Sequence, residues 1–321
     1  MAQRIISCNN CGSDKHKLLV KIKGNRGANF IAKKHRVVIC ENCGFIFLNP
    51  QHEAADYEKF YSCQPASVAK TKSLEKFKKN YRRAGDYYLK DFLLENIDKE
   101  TLKARAKLLD IGCGHGTFLY FFKDENFELF GLEPGKGAVE FGRQLGLNII
   151  HGTLEEVNLP ENNFDIIVSL ATIEHVNDPL GVLKKMQKLL KPGGYLLLTT
   201  PDFREMVLRR GIGNYFKFVH TFYFTGKILS SLLKQAVFDV LKVWSVPAEI
   251  KNSTLFNPMN CKSGLLHIFA RKSVELKNVN PEKDSPKELI ELFQKIKKRD
   301  RIYYFASKIL FLWNYIKSRM R

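Results

Sequence analysis

The chain has 321 residues, 45% of them hydrophobic and 26% charged, and 52 lysines and arginines against 33 aspartates and glutamates give a formal net charge of +19. That composition supports a sizeable core and excludes a disorder-dominated chain, a collagen or a coiled coil. No run reaches the ~18 uninterrupted apolar residues of a spanning helix, and seven cysteines behind a short, non-hydrophobic segment 1–8 disfavour an exported, disulfide-stapled protein.

The charge is uneven. Residues 1–100 carry 19 basic and 11 acidic side chains, residues 101–200 carry 10 and 12, and residues 201–321 carry 23 and 10. Basic flanks around a near-neutral middle suit solvated faces, or contact with nucleic acid, anionic lipid or an anionic substrate. Four regions follow from the pattern: a cysteine-punctuated module at 1–50, a helical linker or lid at 51–102, an α/β region at 103–272, and a linker with a basic helical tail at 273–321.

In the first region, 17–22 and 36–39 read as short strands. Cys8-Asn-Asn-Cys11-Gly12 and Cys40-Glu-Asn-Cys43-Gly44 are two Cys-x-x-Cys knuckles. Each tight turn brings two sulfurs to one side, and the trailing glycine accommodates the turn's backbone. Cys8, Cys11, Cys40 and Cys43 would complete a closed tetrahedral zinc shell, structural rather than catalytic. An iron–sulfur cluster or a redox dithiol are the alternatives. Cys63, Cys113 and Cys261 have no partner by spacing and read as small buried hydrophobes.

Residues 52–100 read as helices. From 103 onward apolar strands alternate with helices, the signature of a parallel α/β sheet. Strands are expected at 107–111, 127–132, 147–150, 164–170, 194–199, 240–246 and 265–271. Helices are expected near 116–124, 137–145, 179–190 and 225–235. The polar segment 273–285 reads as a linker. Two basic amphipathic helices are expected at 286–300 and 302–316. The second is too short to span a bilayer, but its wide apolar face and basic flanks suit an anionic membrane surface. Packing on the protein's own body or a dimer contact explains the same face.

Asp110-Ile111-Gly112-Cys113-Gly114-His115-Gly116 follows a strand and opens a helix. Its glycines let a ligand approach the backbone, and the helix start offers free N–H groups. The spacing differs from the Gly-x-Gly-x-x-Gly of dinucleotide binders. The next strand ends Gly131-Leu132-Glu133-Pro134, where an acidic side chain can accept both hydroxyls of a ribose.

With these motifs, residues ~100–272 resemble a class I S-adenosylmethionine-dependent methyltransferase, which implies a Rossmann-like seven-stranded α/β sheet. Leu159-Pro160-Glu161-Asn162-Asn163-Phe164-Asp165, Val168-Ser169-Leu170-Ala171-Thr172-Ile173-Glu174-His175 and Leu190-Lys191-Pro192-Gly193-Gly194-Tyr195 strengthen the likeness. The resemblance implies S-adenosyl-L-methionine as cofactor. Asp110 would lie near the methionine amino group over Gly112 and Gly114, Glu133 would hold the ribose, Thr153 and Leu154 would flank the adenine, and Ser169 and Leu170 would line the methionine side. Many relatives have Asp where Thr153 stands; Thr153 or Glu155 would then serve the adenine amino group. The four-cysteine module followed by Cys43-Gly44-Phe45-Ile46-Phe47-Leu48-Asn49-Pro50 and Tyr57-x-x-Phe60-Tyr61 is similar to the N-terminal part of sugar and secondary-metabolite methyltransferases. Their sizeable C-terminal domain has no counterpart in the residues after 272.

An acceptor nucleophile must lose a proton, and a histidine suits that task. His175 follows the fourth strand at the sheet edge. His220, in Val219-His220-Thr221-Phe222-Tyr223-Phe224-Thr225, lies in a segment like the family's substrate-closing one, with Tyr223 placed to orient it or the substrate. The expected activity is methyl transfer to a small-molecule or saccharide acceptor, including a lipid-linked glycan, by a cytoplasmic protein peripheral to the inner membrane face. The alternatives are an RNA methyltransferase using the basic flanks and zinc module, or a non-catalytic scaffold. Neither Asn/Asp-Pro-Pro-Tyr nor Pro-Cys stands where nucleobase enzymes carry it, and no RNA-binding motif is evident.

Overall fold

The computed structural model describes residues 3–23, 34–53, 55–57, 74–81, 86–103, 105–245, 264–275 and 280–319, with the backbone alone for 103, 209, 213–214 and 303–319. Phe60, Tyr61, Cys63, Cys261 and the end of the strand expected at 240–246 lie outside the described residues.

The strands are β1 (Gln3–Arg4), β2 (His16–Lys23), β3 (Lys34–Cys40), β4 (Ile46–Leu48), β5 (Gln51–His52), β6 (Ala106–Ile111), β7 (Phe127–Glu133), β8 (Ile149–His151), β9 (Phe164–Leu170), β10 (Leu190–Pro201), β11 (Phe222–Tyr223), β12 (Phe238–Ser245) and β13 (Leu265–Lys272). Seven of them form one sheet in the order β12-β13-β10-β9-β6-β7-β8. Within it, β13 alone runs antiparallel to its neighbours, while β6 pairs parallel with β7 and β9. The expected seven-stranded α/β sheet is therefore present. Near-continuous apolar runs such as Ala-Lys-Leu-Leu-Asp-Ile in β6 and Phe-Asp-Ile-Ile-Val-Ser-Leu in β9 suit central strands covered on both faces.

Chain order reverses at β6, with β7 and β8 to one side and β9 and β10 to the other. The crevice outside the carboxyl ends of such strands is where an open α/β sheet binds ligands. It gathers the turns after β6, β7 and β9. One face of the sheet packs on Val182, Leu183 and Met186 and on Ile228, Leu229 and Leu232. The other packs on Phe77, Leu89, Leu93, Phe118 and Phe141.

Local boundaries differ from expectation where turns intervene. The helix expected near 116–124 is regular only over Thr117–Tyr120. The third strand sits at Ile149–His151, because Gly146 takes a left-handed φ of 83° and delays the extended run. Thr225 caps its helix rather than entering it: its side chain accepts from the Ile228 N–H.

The cysteine module is built into the same body. β2, β3 and β4 form an antiparallel sheet whose fourth strand, β11, comes from the loop after β10. Phe222 lies opposite Phe47 and Tyr223 opposite Ile46, and the Leu48 N–H donates to the Thr221 carbonyl at 2.8 Å. Cys8, Cys40, Cys43, Phe45 and Phe47 share one hydrophobic cluster with Phe222, Phe224 and Ile228. A two-residue strand carries no pattern of its own, which is why sequence periodicity did not reveal β11.

The tail is one helix, Pro286–Arg319, where two were expected. The junction of the expected pair, Arg299-Asp300-Arg301-Ile302, contains no proline or glycine to interrupt the helical hydrogen bonds. Leu289, Phe293 and Ile296 are buried against Val37, Ile39 and Phe216. The apolar face of 286–300 is therefore spent on the protein's own four-stranded sheet, so membrane contact would fall to 302–321. Among the described residues no helix is long and apolar enough to cross a membrane.

Candidate functional site

Asp110, near the end of β6, is 2% exposed, and its Oδ1 has no hydrogen-bond partner. Burial, then the charges of Glu133 and Asp86, push its carboxyl up to about 8. The chain then turns through Gly112 and Gly114 with φ of 73° and 55°. A Cβ on Gly112 would sit 2.3 Å from Thr172 Oγ1, so only glycine allows the turns after β6 and β9 to touch. A Cβ on Gly114 would meet nothing within 4 Å, so this peptide is open to an approaching group.

Glu133 ends β7. Its Oε2 accepts from the Gly114 N–H at 2.9 Å and its Oε1 from the Gly135 N–H at 2.7 Å. Each carboxylate oxygen has a second lone pair left for another donor. Burial raises the Glu133 pKa against the opposing pull of these two N–H groups.

A cleft of about 250 Å³ opens beside these turns. Gly112, Thr153, Leu154, Ser169 and His175 line it, together with Ile173, Asp178 and Met186. Thr153 uses its hydroxyl and its N–H on Glu156 Oε2, at 3.1 and 2.9 Å, and the exposed Glu155 lines the same wall. The Ser169 hydroxyl donates to the Ile111 carbonyl at 3.1 Å and ties β9 to β6.

Leu170 packs with the cluster on the opposite sheet face rather than in the cleft wall. Tyr223 is not brought to the cleft either. It is 2% exposed, its hydroxyl donates to the Lys217 carbonyl at 2.9 Å, and burial raises its pKa. It closes the 217–223 loop, and its ring centroid lies 6.1 Å from that of His220.

The two candidate histidines meet. His175 and His220 lie edge to face, with ring centroids 4.9 Å apart. His175 Nδ1 is 2.9 Å from the Val219 carbonyl, so this nitrogen donates to it. Burial, then the neighbouring His175, pull the His220 pKa down to about 3, so its imidazole is neutral. The buried Glu174 lies behind them, with Oε1 3.9 Å from His175 Nε2.

Sequence reasoning missed the brace on the opposite wall. Asp178 caps the helix Pro179–Leu189, whose first turn borders the cleft. Asn9, inside the first knuckle, donates to Asp178 Oδ1 at 2.8 Å and accepts from the Leu180 N–H at 2.9 Å. Asp178-Pro179 was legible as a helix start, since an acidic cap before proline favours one. Nothing local announced its partner 169 residues away.

In the knuckles themselves, Cys8 Sγ lies 3.5 Å from Cys43 Sγ, and Cys11 Sγ lies 3.6 Å from Cys40 Sγ. All four sulfurs fall within 4.8 Å of one another. Contact with Cys43 and Cys8 drives the Cys40 thiol far down, while contact with Cys40 and Cys43 drives Cys8 far up. Four sulfurs this close must share protons or a cation.

These features define an α/β chain with a cleft at the sheet's switch point, beside a glycine turn and an acidic strand end. The family model for the methyltransferase domain matches residues 81–243, and the chain belongs to that family. It is 31% identical over 134 residues to phosphoethanolamine N-methyltransferase 3 of Arabidopsis thaliana, covering 36% of this chain and 27% of that protein. It is 33% identical over 101 residues to a ubiquinone biosynthesis O-methyltransferase of Vibrio cholerae, covering 29% and 41%. The match thus spans about a quarter to two fifths of these relatives' lengths. A solved S-adenosylmethionine-dependent methyltransferase from Mesorhizobium loti is similar at 18% identity and a TM-score of 0.47, covering 60% of this chain and 99% of that one.

Proposed function

We propose that the protein is an S-adenosylmethionine-dependent methyltransferase acting on a small-molecule or saccharide acceptor. The observation that carries this reading is the crevice after β6, where Asp110 Oδ1 is buried without a partner beside an open Gly114. A ligand ammonium would satisfy that oxygen, and two ribose hydroxyls would use the spare lone pairs of Glu133. The cofactor fits this donor set and, when bound, supplies an electrophilic methyl on sulfur. Leu154, Met186 and Ile173 give the cleft an apolar wall for a flat base. The acceptor nucleophile sits on the His175 side, and the Glu174–His175–His220 cluster takes part in removing its proton. Relatives named as O- and N-methyltransferases support an oxygen or nitrogen nucleophile. Within the same reading, the four cysteines hold a structural zinc: ~2.3 Å Zn–S bonds in a tetrahedron space sulfurs by ~3.8 Å.

The test is calorimetric binding of the cofactor, followed by transfer of labelled methyl to sugar nucleotides, phenols and amines. A protein that neither binds the cofactor nor transfers the methyl would sink the proposal.

A pH dependence follows from Asp110. Its folded pKa, near 8, exceeds the ordinary carboxylate value, so the folded chain binds a proton that the unfolded chain releases. Stability of the cofactor-free protein should fall as pH rises from the ordinary carboxylate range to about 8, then level off. The cofactor's ammonium favours the ionised carboxylate, so binding below that pH should release protons. Melting curves across pH and calorimetry in two buffers check both signs. Asp110→Asn should flatten the melting trend and abolish this carboxyl's share of the proton release.

A further inference from the structure

We infer that Glu174, His175 and His220 form a second metal site, which takes one divalent transition ion through a carboxylate oxygen and two imidazole nitrogens. Its location at the cleft wall gives it a purpose that rests on the methyltransferase reading; binding of the ion does not.

Glu174 lies in the short turn after β9 and is 2% exposed. A carboxylate taken out of water needs compensation. Its Oε2 receives the Thr200 hydroxyl at 2.9 Å. Its Oε1 faces His175 Nε2 at 3.9 Å. The other ring nitrogen of His175, Nδ1, is 2.9 Å from the Val219 carbonyl. The 3.9 Å gap between Oε1 and Nε2 is too long for a hydrogen bond and matches the separation of two ligands on one ion. His220 adds a third, and the ligating atoms of all three lie within 4.8 Å of one another.

One cation can be held by all three ligating atoms at once. Bonds of ~2.0–2.2 Å to nitrogen and oxygen bring ligands to ~3–4 Å separation, so shifts within about 1 Å close the shell. Outer partners are already placed: the Thr200 hydroxyl on the carboxylate and the Val219 carbonyl on the imidazole orient their ligands as metal sites require. Thr221 stiffens the backbone, donating its N–H to the Glu174 carbonyl at 2.8 Å and its hydroxyl to the Val176 carbonyl at 2.6 Å.

Two imidazoles and one carboxylate suit manganese, iron, cobalt, nickel or zinc and differ from the all-sulfur knuckle site, which favours soft ions. Three protein ligands leave open positions. Because His175 lines the cleft, such a position faces the acceptor. An acceptor hydroxyl bound there would become more acidic and lose its proton to water before attack.

Manganese(II) separates the two sites, since it binds thiolate poorly. The full chain is titrated with manganese(II), and the free ion is followed by electron paramagnetic resonance. One bound ion per chain is expected, with His220→Ala and Glu174→Gln each weakening it at least ~10-fold. Calorimetric cofactor binding unchanged in His220→Ala shows that the variant is folded, which keeps the test valid if Glu174→Gln is not. Failure of manganese(II) to bind, or equal affinity in wild type and folded His220→Ala, overturns the metal site. Cofactor binding retained without any bound manganese(II) removes this inference alone; bound manganese(II) without cofactor binding removes the methyltransferase reading and leaves the site.

Discussion

Glu133→Ala should weaken cofactor binding by at least ~100-fold, because two hydrogen bonds to an ionised carboxylate contribute about 3–6 kcal/mol together. The carboxylate is fixed edge-on by the Gly114 and Gly135 N–H groups, so its remaining lone pairs point where a ligand on the glycine turn would lie. The alanine variant also leaves those two N–H groups without their acceptor, so a modest loss in melting temperature should accompany the loss of affinity. Glu133→Gln separates the effects. It keeps one oxygen for the turn, restores most of the melting temperature, and still lacks the charge and half the acceptor capacity. Calorimetry on both variants is the check. Affinity unchanged in either variant would remove Glu133 from the ribose and with it the assumed direction of the cofactor in the crevice.

The sheet and its crevice were legible because they rest on local patterns. Apolar runs such as 106–111 and 164–170 can only be central strands when glycine turns and amphipathic helices separate them. The glycine turn and Glu133 were legible for the same reason: each is a residue type whose position at a strand end dictates what it can touch. What escaped was long-range. Tyr223 is turned by its register in β11 so that its hydroxyl meets the Lys217 backbone while its ring stays beside His220. Glu174 stood in view as a neighbour of His175, but only the fold brings His220 to the same point. Thr153 keeps its place in the cleft wall, while its hydroxyl is already spent on Glu156. A two-residue strand and a side-chain brace between residues 9 and 178 carry no periodic signal, and both depend on the cysteine module being part of the main core.

Cys40→Ser is expected to abolish metal binding at the knuckles and to lower the melting temperature by ~5–7 °C. Removing one thiolate from a closed four-sulfur shell forfeits most of the binding energy that such a site contributes to folding. A loss of ~3–5 kcal/mol moves the midpoint of a chain this size by roughly that much. The effect should also reach the cleft, because the knuckles are wired to both of its sides. Asn9 holds the cap of the helix Pro179–Leu189, and β4, which follows Cys43 closely, pairs with β11 beside His220. Loosening the shell therefore frees the wall around Asp178 and the loop that carries His220, so acceptor turnover should fall further than cofactor affinity, which depends on β6 and β7. Metal analysis, thermal melts and separate measurements of cofactor binding and methyl transfer test each link. A strong chelator on the unmodified protein should reproduce the melt, and Cys113→Ser, outside the cluster, should leave the metal content equal to that of the wild type. If Cys40→Ser retained its metal and melted with the wild type, the four sulfurs would be packed thiols, and the brace would owe its rigidity to hydrophobic contact alone.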